Sequence, residues 1–518
     1  MSYYRNQSGD FIWNSTSNTY QSIPTNNRFD TAQIDTYAFT ENIGNGFSVL
    51  PNIVSVDFSY VPFDLDVMLF TFLTANGCTS NLQSVTNISP FTVWMVDCFV
   101  NCANFTYLDA FPESLFDMSG CFVNCVNLQN VPTIPNSVGY MIESFYGCSS
   151  LKNITSIPNS VVNMKGTFYR CSNLLTVGSM SNSVEDASYT FAGCTNLHSK
   201  INIPDTCTNM YGTFQACSNL KTNVPKLSNT VDNLVSCFFM ANISDIPAIP
   251  NSVTDLPRTF LLCNGLGDLA NTTNRLPDSI QELYLSFTKT PITSIPVIPN
   301  SVTDMISTFY MCDQLTSIPA LPNSIVNMPG AFMSCYNLTT VDSLPPNVVN
   351  LGAGGTDFFD EMPPAVHVLG TGTFSCCRSL TTENIPTIPN SVLDMCGTFY
   401  GCDGLIGMPQ LPNNVLNIAE CFMSCKNLTT ATDIPQSVTN VSNCFNGCIN
   451  LTGNINIRSD RITNSHDCFN CTSLVKNVYI PFKYANNVNT TTYNTFIAAG
   501  YDTNGTTNGV YLKDISTL

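Results

Sequence analysis

The feature that most constrains this chain is a repeat with a period of 23 residues. In the segment 309–332 a phenylalanine begins the copy, a cysteine follows at plus three, and apolar residues stand at plus six, nine, twelve, sixteen and nineteen. The next phenylalanine comes at plus twenty-three, and the segments 122–145 and 399–422 follow the same pattern. A fixed period of this length indicates one chain reversal per copy and copies that stack on one another. The sequence therefore predicts a solenoid.

The repeat phenylalanine recurs over most of the chain. Eight of the fifteen intervals between its sixteen positions are 23 residues long, and the positions are 99, 122, 145, 168, 191, 214, 238, 260, 287, 309, 332, 374, 399, 422, 445 and 469. The interval 260–287 has 27 residues, and its extra length near 268–275 predicts a polar surface loop. The number of copies predicts about 16–17 stacked turns.

The longest interval, 332–374, has 42 residues. It contains a glycine-rich stretch at 352–355, an acidic and aromatic stretch at 357–361, and His367. We interpret it as one regular turn followed by a degenerate turn that bulges. Irregular copies in a repeat array map to surface loops, often on the binding face. A drifted turn that the stack merely tolerates is the alternative interpretation.

Each turn carries the signals of one short strand. The leucine at plus six opens an extended run that ends in Ile-Pro, and a proline cannot donate to a strand ladder, so the strand must end there. The Pro-Asn-Ser tripeptide that follows, as at 135–137 and 158–160, is a turn former that reverses the chain. The predicted fold is a mainly β solenoid with a parallel β-sheet on one face, closed by a cap at each end.

The residue at plus eighteen is nearly always an amide or a carboxylate: Asp117, Asn163, Asp186, Asn209, Asn233, Asp255, Asp304, Asn327, Asn350, Asp394, Asn417 and Asn440. One such side chain per turn, in register, predicts a ladder that holds backbone amides left unpaired by the stack. Because asparagine replaces aspartate freely at this position, a calcium site or a catalytic acid is a poor interpretation.

The 24 cysteines follow the repeat rather than a disulfide framework. Thirteen stand three residues after the repeat phenylalanine and six stand directly before it. One buried thiol per turn at a fixed position is the pattern of a ladder in which cysteine acts as a small apolar residue with a weak donor. Stacked turns lie about 4.8 Å apart, but parallel Cβ directions make disulfide geometry poor. We expect free thiols.

Charge and hydropathy exclude several classes of partner. The formal net charge is −18 with only 18 basic residues, none of them clustered, so a nucleic-acid partner is not expected. No run of about 18 apolar residues suggests a membrane span. The start, 1–6, lacks the basic and apolar regions of a signal peptide, and we expect synthesis and folding in a reducing cytoplasm.

Both ends of the chain depart from the repeat. Residues 1–75 are polar at first and alternate like strands from 54 onward, which predicts an N-terminal cap or a segment that docks to a larger assembly. The repeat region is expected over 76–471. Residues 472–518 predict a C-terminal cap with a strand at 478–482, a short helix at 493–501 ended by Gly500, and a strand at 509–512.

The spacing Phe-x-x-Cys-x-x-Leu-x-x-Ile followed by Pro resembles the 23-residue leucine-rich repeat of BspA-like surface proteins, also called the Treponema-type repeat. The resemblance covers 99–471. One departure is the doubled Ile-Pro-x-Ile-Pro, as at 246–250 and 385–389, so the curvature of the family fold does not transfer. The resemblance implies a leucine-rich-repeat solenoid that faces the cell exterior, adheres to host matrix proteins or other cells, and has no enzymatic activity.

The sequence offers no constellation for catalysis or for a cofactor. Its three histidines are isolated, and no His-x-x-x-His pair, Walker loop or Gly-x-Ser-x-Gly elbow occurs. A four-thiolate zinc site from Cys444, Cys448, Cys468 and Cys471 would need all four side chains to converge, whereas the repeat places them in different positions. We therefore expect no enzyme, no metal and no cofactor.

The main functional hypothesis is recognition of a polar ligand by the strand face. The residues directly after each repeat leucine would bind a cell-surface glycan or protein: Lys152, Asn153, Lys221, Thr222, Thr316, Ser317, Thr339, Thr340, Thr381, Thr382, Thr429 and Thr430. Hydroxyls and amides in rows suit such ligands, because small energies add over many turns. For any single pair, an ordinary solvated strand is the alternative interpretation.

Two settings and one further function stay open. A virion-associated protein, such as a bacteriophage fibre or decoration protein, needs no secretion signal and is the setting we favour over a cell-surface adhesin. In that setting residues 1–75 would dock to other virion or surface-assembly proteins. A spacer or scaffold without a ligand of its own is the alternative function.

Overall fold

The computed structural model of the 518-residue chain describes residues 11–14, 19–22, 32–33, 55–57, 81–270, 275–352, 372–470, 475–483, 488–507 and 509–518. Its contacts divide the chain into two units, Met1–Val253 and Thr254–Leu518, which are described separately below. Each unit is built from stacked turns, as the repeat predicts.

The strands of the first unit are short and mostly parallel. An antiparallel hairpin, β1 (Phe11–Asn14) with β2 (Thr19–Ser22), precedes a parallel sheet in the order β3-β4-β5-β6. The strands of that sheet are β3 (Ala32–Gln33), β4 (Ser55–Asp57), β5 (Ser84–Thr86) and β6 (Tyr107–Leu108). A parallel pair, β7 (Asn153–Ile154) with β8 (Thr176–Val177), follows.

The second unit also consists of short parallel strands, and it ends in a parallel sheet with one helix near the C-terminus. Its strands are β9 (Ser317–Ile318) paired with β10 (Thr340–Val341), and the parallel sheet β11 (Gly453–Asn456), β12 (Val475–Ile480) and β13 (Tyr511–Asp514). The helix α1 spans Thr491–Ala498, and two 3₁₀ helices span Thr382–Asn384 and Ile515–Thr517. The predicted strand, helix and strand near the C-terminus are confirmed, and Gly500 follows the helix with φ +89°.

The repeat phenylalanines form a continuous column in each unit, here called the phenylalanine column. In the first unit neighbouring rings from Phe99 to Phe214 lie 5.1–5.7 Å apart, and Phe238 is 5.7 Å from Phe214. In the second unit the spacing from Phe260 to Phe469 is 5.2–6.1 Å. These rings are buried, so the column is the core of each unit.

The long interval 332–374 holds one layer of the stack, not two. The ring of Phe332 stacks directly on that of Phe374, with centroids 6.1 Å apart, and the Phe332 N–H donates to Thr373 O at 3.0 Å. Asn350 pairs directly with Asp394 in the same way that Asn327 pairs with Asn350. The predicted additional turn is therefore wrong: an insertion separates two ordinary neighbours, and its residues 353–371, with His367, lie outside the described part of the chain.

Two residues per turn have left-handed backbone, one on each side of the repeat phenylalanine. Around Phe145 they are Glu143, with φ +53°, and Gly147, with φ +72°. The alternating handedness turns every second N–H toward the next turn, so Glu143, Phe145 and Gly147 donate to carbonyls there at 2.7–2.9 Å. Left-handed residues other than glycine are uncommon and costly, and these inter-turn bonds offset the cost.

The cysteine at plus three donates a hydrogen bond to this backbone. The thiol of Cys171 donates to Phe145 O in the preceding turn at 3.0 Å, and the same carbonyl accepts the Cys148 N–H at 3.1 Å. The contact recurs along both units, for example from Cys402 to Phe374 O at 3.0 Å. The predicted thiol ladder is confirmed in position and burial, and all 22 described cysteines are free thiols in the structure.

Serine and threonine hydroxyls directly before the phenylalanine also donate to backbone carbonyls of the preceding turn. The hydroxyl of Ser144 donates to Met118 O at 2.9 Å, and that of Thr190 donates to Met164 O at 2.8 Å. The position is shared with cysteines such as Cys121 and Cys421. Fifteen of the sixteen copies have a small donor here, with Ala331 the exception, a preference that the cysteine count alone did not reveal.

The polar position at plus eighteen holds backbone amides, as predicted. In most copies the side-chain oxygen accepts the N–H two residues on, as in Asn209 from Tyr211 at 3.1 Å and Asn440 from Ser442 at 3.1 Å. Asp255 and Asn327 are exceptions, because a proline without an N–H stands two residues after each of them. The same position forms parallel bridges from turn to turn, a second line of pairing that sequence analysis missed. This pairing runs through more consecutive turns than the strand pairing after the leucine, where the Ile-Pro motif ends the strand.

Replacing Phe399 by alanine is expected to lower the free energy of unfolding by about 3–5 kcal/mol, because the stacked rings of Phe374 and Phe422 leave no freedom for the cavity to collapse. Urea denaturation measures the loss. The matched control is Ile406→Ala, since Ile406 is 65% exposed, and it should cost far less. A loss below about 1 kcal/mol for Phe399→Ala would contradict the buried column.

The amide ladder predicts different outcomes for two substitutions of Asn440. Asn440→Ala leaves the Ser442 N–H without its acceptor and should cost about 1 kcal/mol of unfolding free energy. Asn440→Asp keeps the acceptor, and its neighbours in the column, Asn417 and Asn464, are uncharged, so it should cost much less. Equal losses for the two variants, measured by urea denaturation, would show that the side-chain oxygen does not hold the amide.

The buried thiols predict a loss of stability in alkali. Burial raises the pKa of the Cys402 thiol well above its usual value, so the folded state keeps the proton that the unfolded chain releases. Stability from this group is complete below the unfolded thiol pKa of about 8.5 and falls as the pH rises above it. Cys402→Ser should reduce the slope of unfolding free energy against pH, above pH 9, by up to about 1.4 kcal/mol per pH unit.

The matched control for this slope is Thr398→Ser, because Thr398 is equally buried and does not titrate. It should leave the dependence on pH unchanged. Urea denaturation at several pH values measures both variants. A wild-type slope in Cys402→Ser would mean that the Cys402 thiol ionises as easily in the folded chain as in the unfolded chain.

Candidate ligand-binding surface

The predicted binding residues fall into two sets, one in each unit. Lys152, Asn153, Lys221 and Thr222 in the first unit are exposed. In the second unit Thr316, Ser317, Thr339, Thr340 and Thr430 are exposed, whereas Thr381, Thr382 and Thr429 are half-buried. Exposure fits a binding role for most of them, and the role itself stays a prediction.

The structure brings some of these residues into neighbouring strands. Asn153 of β7 pairs with Thr176 of β8, and the Thr176 hydroxyl donates to Asn153 Oδ1 at 2.7 Å. Ser317 of β9 pairs with Thr340 of β10 in the same way. Each pair presents polar side chains outward, while the following residue, such as Ile154, points into the core.

Several hydroxyls of the second unit are used by the fold. The Thr339 hydroxyl donates to Thr316 O at 3.0 Å, and that of Thr429 donates to Ile406 O at 2.9 Å. These bonds join equivalent positions of adjacent turns, so the hydroxyls act as part of the backbone pairing. They have less capacity left for a ligand.

Thr381 and Thr382 do not lie on a strand, contrary to the prediction. The interval 374–399 has 25 residues, and its two extra residues are taken up by the 3₁₀ helix Thr382–Asn384. The Thr382 hydroxyl donates to Gly407 O at 2.6 Å. The sequence carried a signal that the prediction missed: Leu380 and Pro386 are six residues apart, whereas Leu315 and Pro319 are four residues apart.

The strand face of the first unit carries a column with two lysines and a histidine, interrupted by Leu175. Backbone bonds connect Lys152 to Leu175 and Leu175 to His198, at 2.8 Å and 3.2 Å. His198 is exposed, as expected for the strand face, and its Nδ1 lies 3.1 Å from Asn196 O. Lys221 occupies the corresponding position one turn later.

A pocket of about 570 Å³ opens where this strand face ends, and we call it the strand-end pocket. It lies between three consecutive turns and is lined by Val177, Gly178, Ser179, Met180, Asn182, Lys200, Asn202, Ile203, Pro204, Asp205, Lys226 and Leu227. Its volume falls within the range of small-molecule pockets, about 300–1,000 Å³.

The pocket exists because the repeat is irregular here. Gly178 occupies the position that holds proline in some turns, such as Pro132 and Pro319, and a Cβ at this position would lie 1.9 Å from Thr155 O. The Gly178 N–H donates to Ile154 O at 2.9 Å, which holds this segment against the preceding turn. Toward the following turn, the Val177 N–H donates to the Ser199 hydroxyl at 3.2 Å. The side-chain bond replaces backbone pairing, and space opens beside it.

Sequence analysis missed the pocket residues, because it considered only the positions directly after each leucine. The signal was nonetheless present. Between 177 and 205 the Ile-Pro and Pro-Asn-Ser motifs are replaced by Val-Gly, Met-Ser-Asn-Ser and Ile-Pro-Asp-Thr. Irregular copies map to the binding face of repeat arrays, and this irregularity was overlooked.

No group of three His, Cys, Asp or Glu side chains that could hold a metal ion occurs among the described residues. Cys471, part of the rejected zinc set, lies outside them. Burial raises the pKa of the Cys171 and Cys425 thiols, so their reactive thiolate form is disfavoured. Within the same residues, no helix has the length and apolarity of a membrane span.

Comparison with known proteins identifies the repeat. No curated protein matches the sequence. A leucine-rich repeat protein from Bacteroides ovatus is 20% identical over 88% of this chain and 94% of its own, with a TM-score of 0.41. A leucine-rich cell surface protein from Faecalibacterium prausnitzii is 19% identical over 88% and 95% of the two chains, with a TM-score of 0.31.

The family model described as "BspA type Leucine rich repeat region (6 copies)" matches residues 76–197, 142–267, 270–355 and 396–499. These matches cover more than half of the sequence, and they begin and end within the repeat and its C-terminal cap. The resemblance noted in the sequence is thereby confirmed. The chain belongs to the family of BspA-type leucine-rich repeat proteins.

Proposed function

We propose that this chain is a non-enzymatic recognition protein that binds a polar ligand of a cell surface through the strand face of its first unit. The observation that carries the proposal is the strand-end pocket, which lies at the end of an exposed row of polar and basic side chains. Ligand sites are concave and combine apolar walls with a few placed polar groups, and this surface has both.

The first unit suits recognition better than the second. The hydroxyls of Thr339, Thr382 and Thr429 in the second unit already donate to backbone carbonyls. In the first unit the ammonium groups of Lys152 and Lys221 are exposed, and the described residues form no ion pair with them. Exposed donors on this strand face support a binding site.

The BspA-type repeat supports an adhesive role at a surface. Repeat arrays present rows of equivalent side chains, and weak contacts add over neighbouring turns. Whether the surface is displayed on a virion or on a cell, and whether residues 1–75 dock to an assembly, stay predictions. A scaffold without a ligand would show no saturable binding.

Cell binding of two matched triple variants tests the proposal. Asn153→Ala/Thr176→Ala/Thr222→Ala truncates the strand face of the first unit, and Ser317→Ala/Thr340→Ala/Thr430→Ala makes similar truncations in the second. Labelled full-length protein should bind intact cells saturably, and the first variant should bind at least several-fold more weakly because several ligand hydrogen bonds are lost. The second should bind like wild type.

Two outcomes would contradict the proposal. Absence of saturable binding to every candidate cell would favour the scaffold. Loss of binding in the second variant alone would place recognition in the other unit. Circular dichroism and urea denaturation of both variants establish that the substitutions at these exposed positions leave the fold intact.

A further inference from the structure

We infer that the strand-end pocket binds an acidic saccharide, a sugar that carries a carboxylate. The inference rests on the proposed function, because it names the ligand class of the same surface. It is carried by two ammonium groups, their spacing, and the polar and apolar groups around them.

The pocket concentrates positive charge in an acidic protein. Lys200 and Lys226 both line it and are exposed. Ion pairs in the described part of the chain involve other residues, so neither ammonium is neutralised by a carboxylate there. The whole chain has 18 basic residues against 36 acidic ones. Two unpaired ammonium groups at one pocket therefore mark a local site for an anion.

The backbone places both lysines on the same side of the pocket. Asn202 pairs in parallel with Lys226 of the next turn, and the Ile203 N–H donates to Lys226 O at 3.1 Å. Exposure alternates from Lys200 to Ile203, so Lys200 and Asn202 point the same way. The two lysines are thus offset by about 7 Å along the chain and about 4.8 Å across it. Flexible lysine stems allow both ammonium groups to reach one carboxylate.

The remaining lining fits a sugar ring. Ser179, Asn182 and Asn202 are partly or fully exposed and offer hydroxyl and amide groups to sugar hydroxyls. Met180 and Leu227 are buried beneath them and supply an apolar floor for the C–H face of a ring. A volume of about 570 Å³ is sufficient for a sugar ring.

The lining also contains one carboxylate, and removing its charge should change the affinity in the direction opposite to removing a lysine. Asp205 Oδ1 accepts the Ser228 hydroxyl at 3.1 Å, and its other oxygen can accept a sugar hydroxyl. Its charge opposes an anionic ligand. Asp205→Asn keeps an acceptor for Ser228 and removes the charge, so it should tighten binding of an acidic sugar.

The experiment compares sialyllactose with lactose, which differ by one carboxylated sugar, using isothermal titration of the full-length protein. Sialyllactose should bind and lactose should bind much more weakly. Lys200→Gln and Lys226→Gln should each weaken sialyllactose about tenfold, since each removes a charge-assisted bond. Lys165→Gln makes the same charge change at an exposed lysine outside the pocket and should have no effect. Digalacturonic acid serves as a second acidic probe.

The outcomes separate this inference from the proposed function. Equal binding of sialyllactose and lactose, or tighter binding of a polyglutamate peptide than of either acidic sugar, would overturn the saccharide while leaving a recognition surface. The saccharide would also be overturned if neither acidic sugar bound while cell binding stayed saturable and unaffected by both lysine variants. If neither cells nor acidic sugars are bound, both proposals fail. Tightening by Asp205→Asn, with losses at both lysines, would establish the site.

Discussion

The structure depends on one constraint: every turn leaves backbone groups that the next turn must pair. The alternating left-handed residues beside each phenylalanine direct N–H groups toward the following turn, and the phenylalanine carbonyl is left facing the core. That carbonyl accepts one N–H from its own turn, and its second lone pair can accept a donor from the next turn. The thiol at plus three, the hydroxyl or thiol before the phenylalanine, and the side-chain oxygen at plus eighteen each satisfy one such group. The repeat is thus a set of donors and acceptors as much as a set of apolar residues.

This constraint explains which parts of the fold the sequence could predict. The period, the phenylalanine column and the polar ladder follow from side chains that recur at fixed positions, so they were visible without coordinates. The left-handed residues could not be predicted, because glycine, arginine, serine and leucine all occupy those positions. The single layer at 332–374 was also hidden. An insertion of nearly one period resembles a degenerate turn, and only the stacking of Phe332 on Phe374 distinguishes the two.

The candidate surface was predicted in its location but not in its detail. Exposure of Lys152, Asn153 and Lys221 follows from the alternation after each leucine. Sequence spacing does not show which hydroxyls donate to carbonyls of the neighbouring turn. For Thr339 and Thr429 these bonds reduce the hydrogen-bonding capacity that is left for a ligand. The pocket depends on a lost backbone pairing beside Gly178. Such a loss is a relation between turns, and no single copy of the repeat contains it.

Regularity and recognition therefore compete along the same chain. A turn that follows the repeat pairs with its neighbours through backbone bonds, whereas a turn that loses such a bond can separate from the next turn and create a cavity. The cost of separation is limited here because Ser199 replaces the missing backbone acceptor and Gly178 tightens the contact on the other side. Lysines are tolerated at the rim because their side chains stay exposed to solvent. A site for a charged ligand can thus form in one irregular segment while the phenylalanine column beneath it continues unchanged.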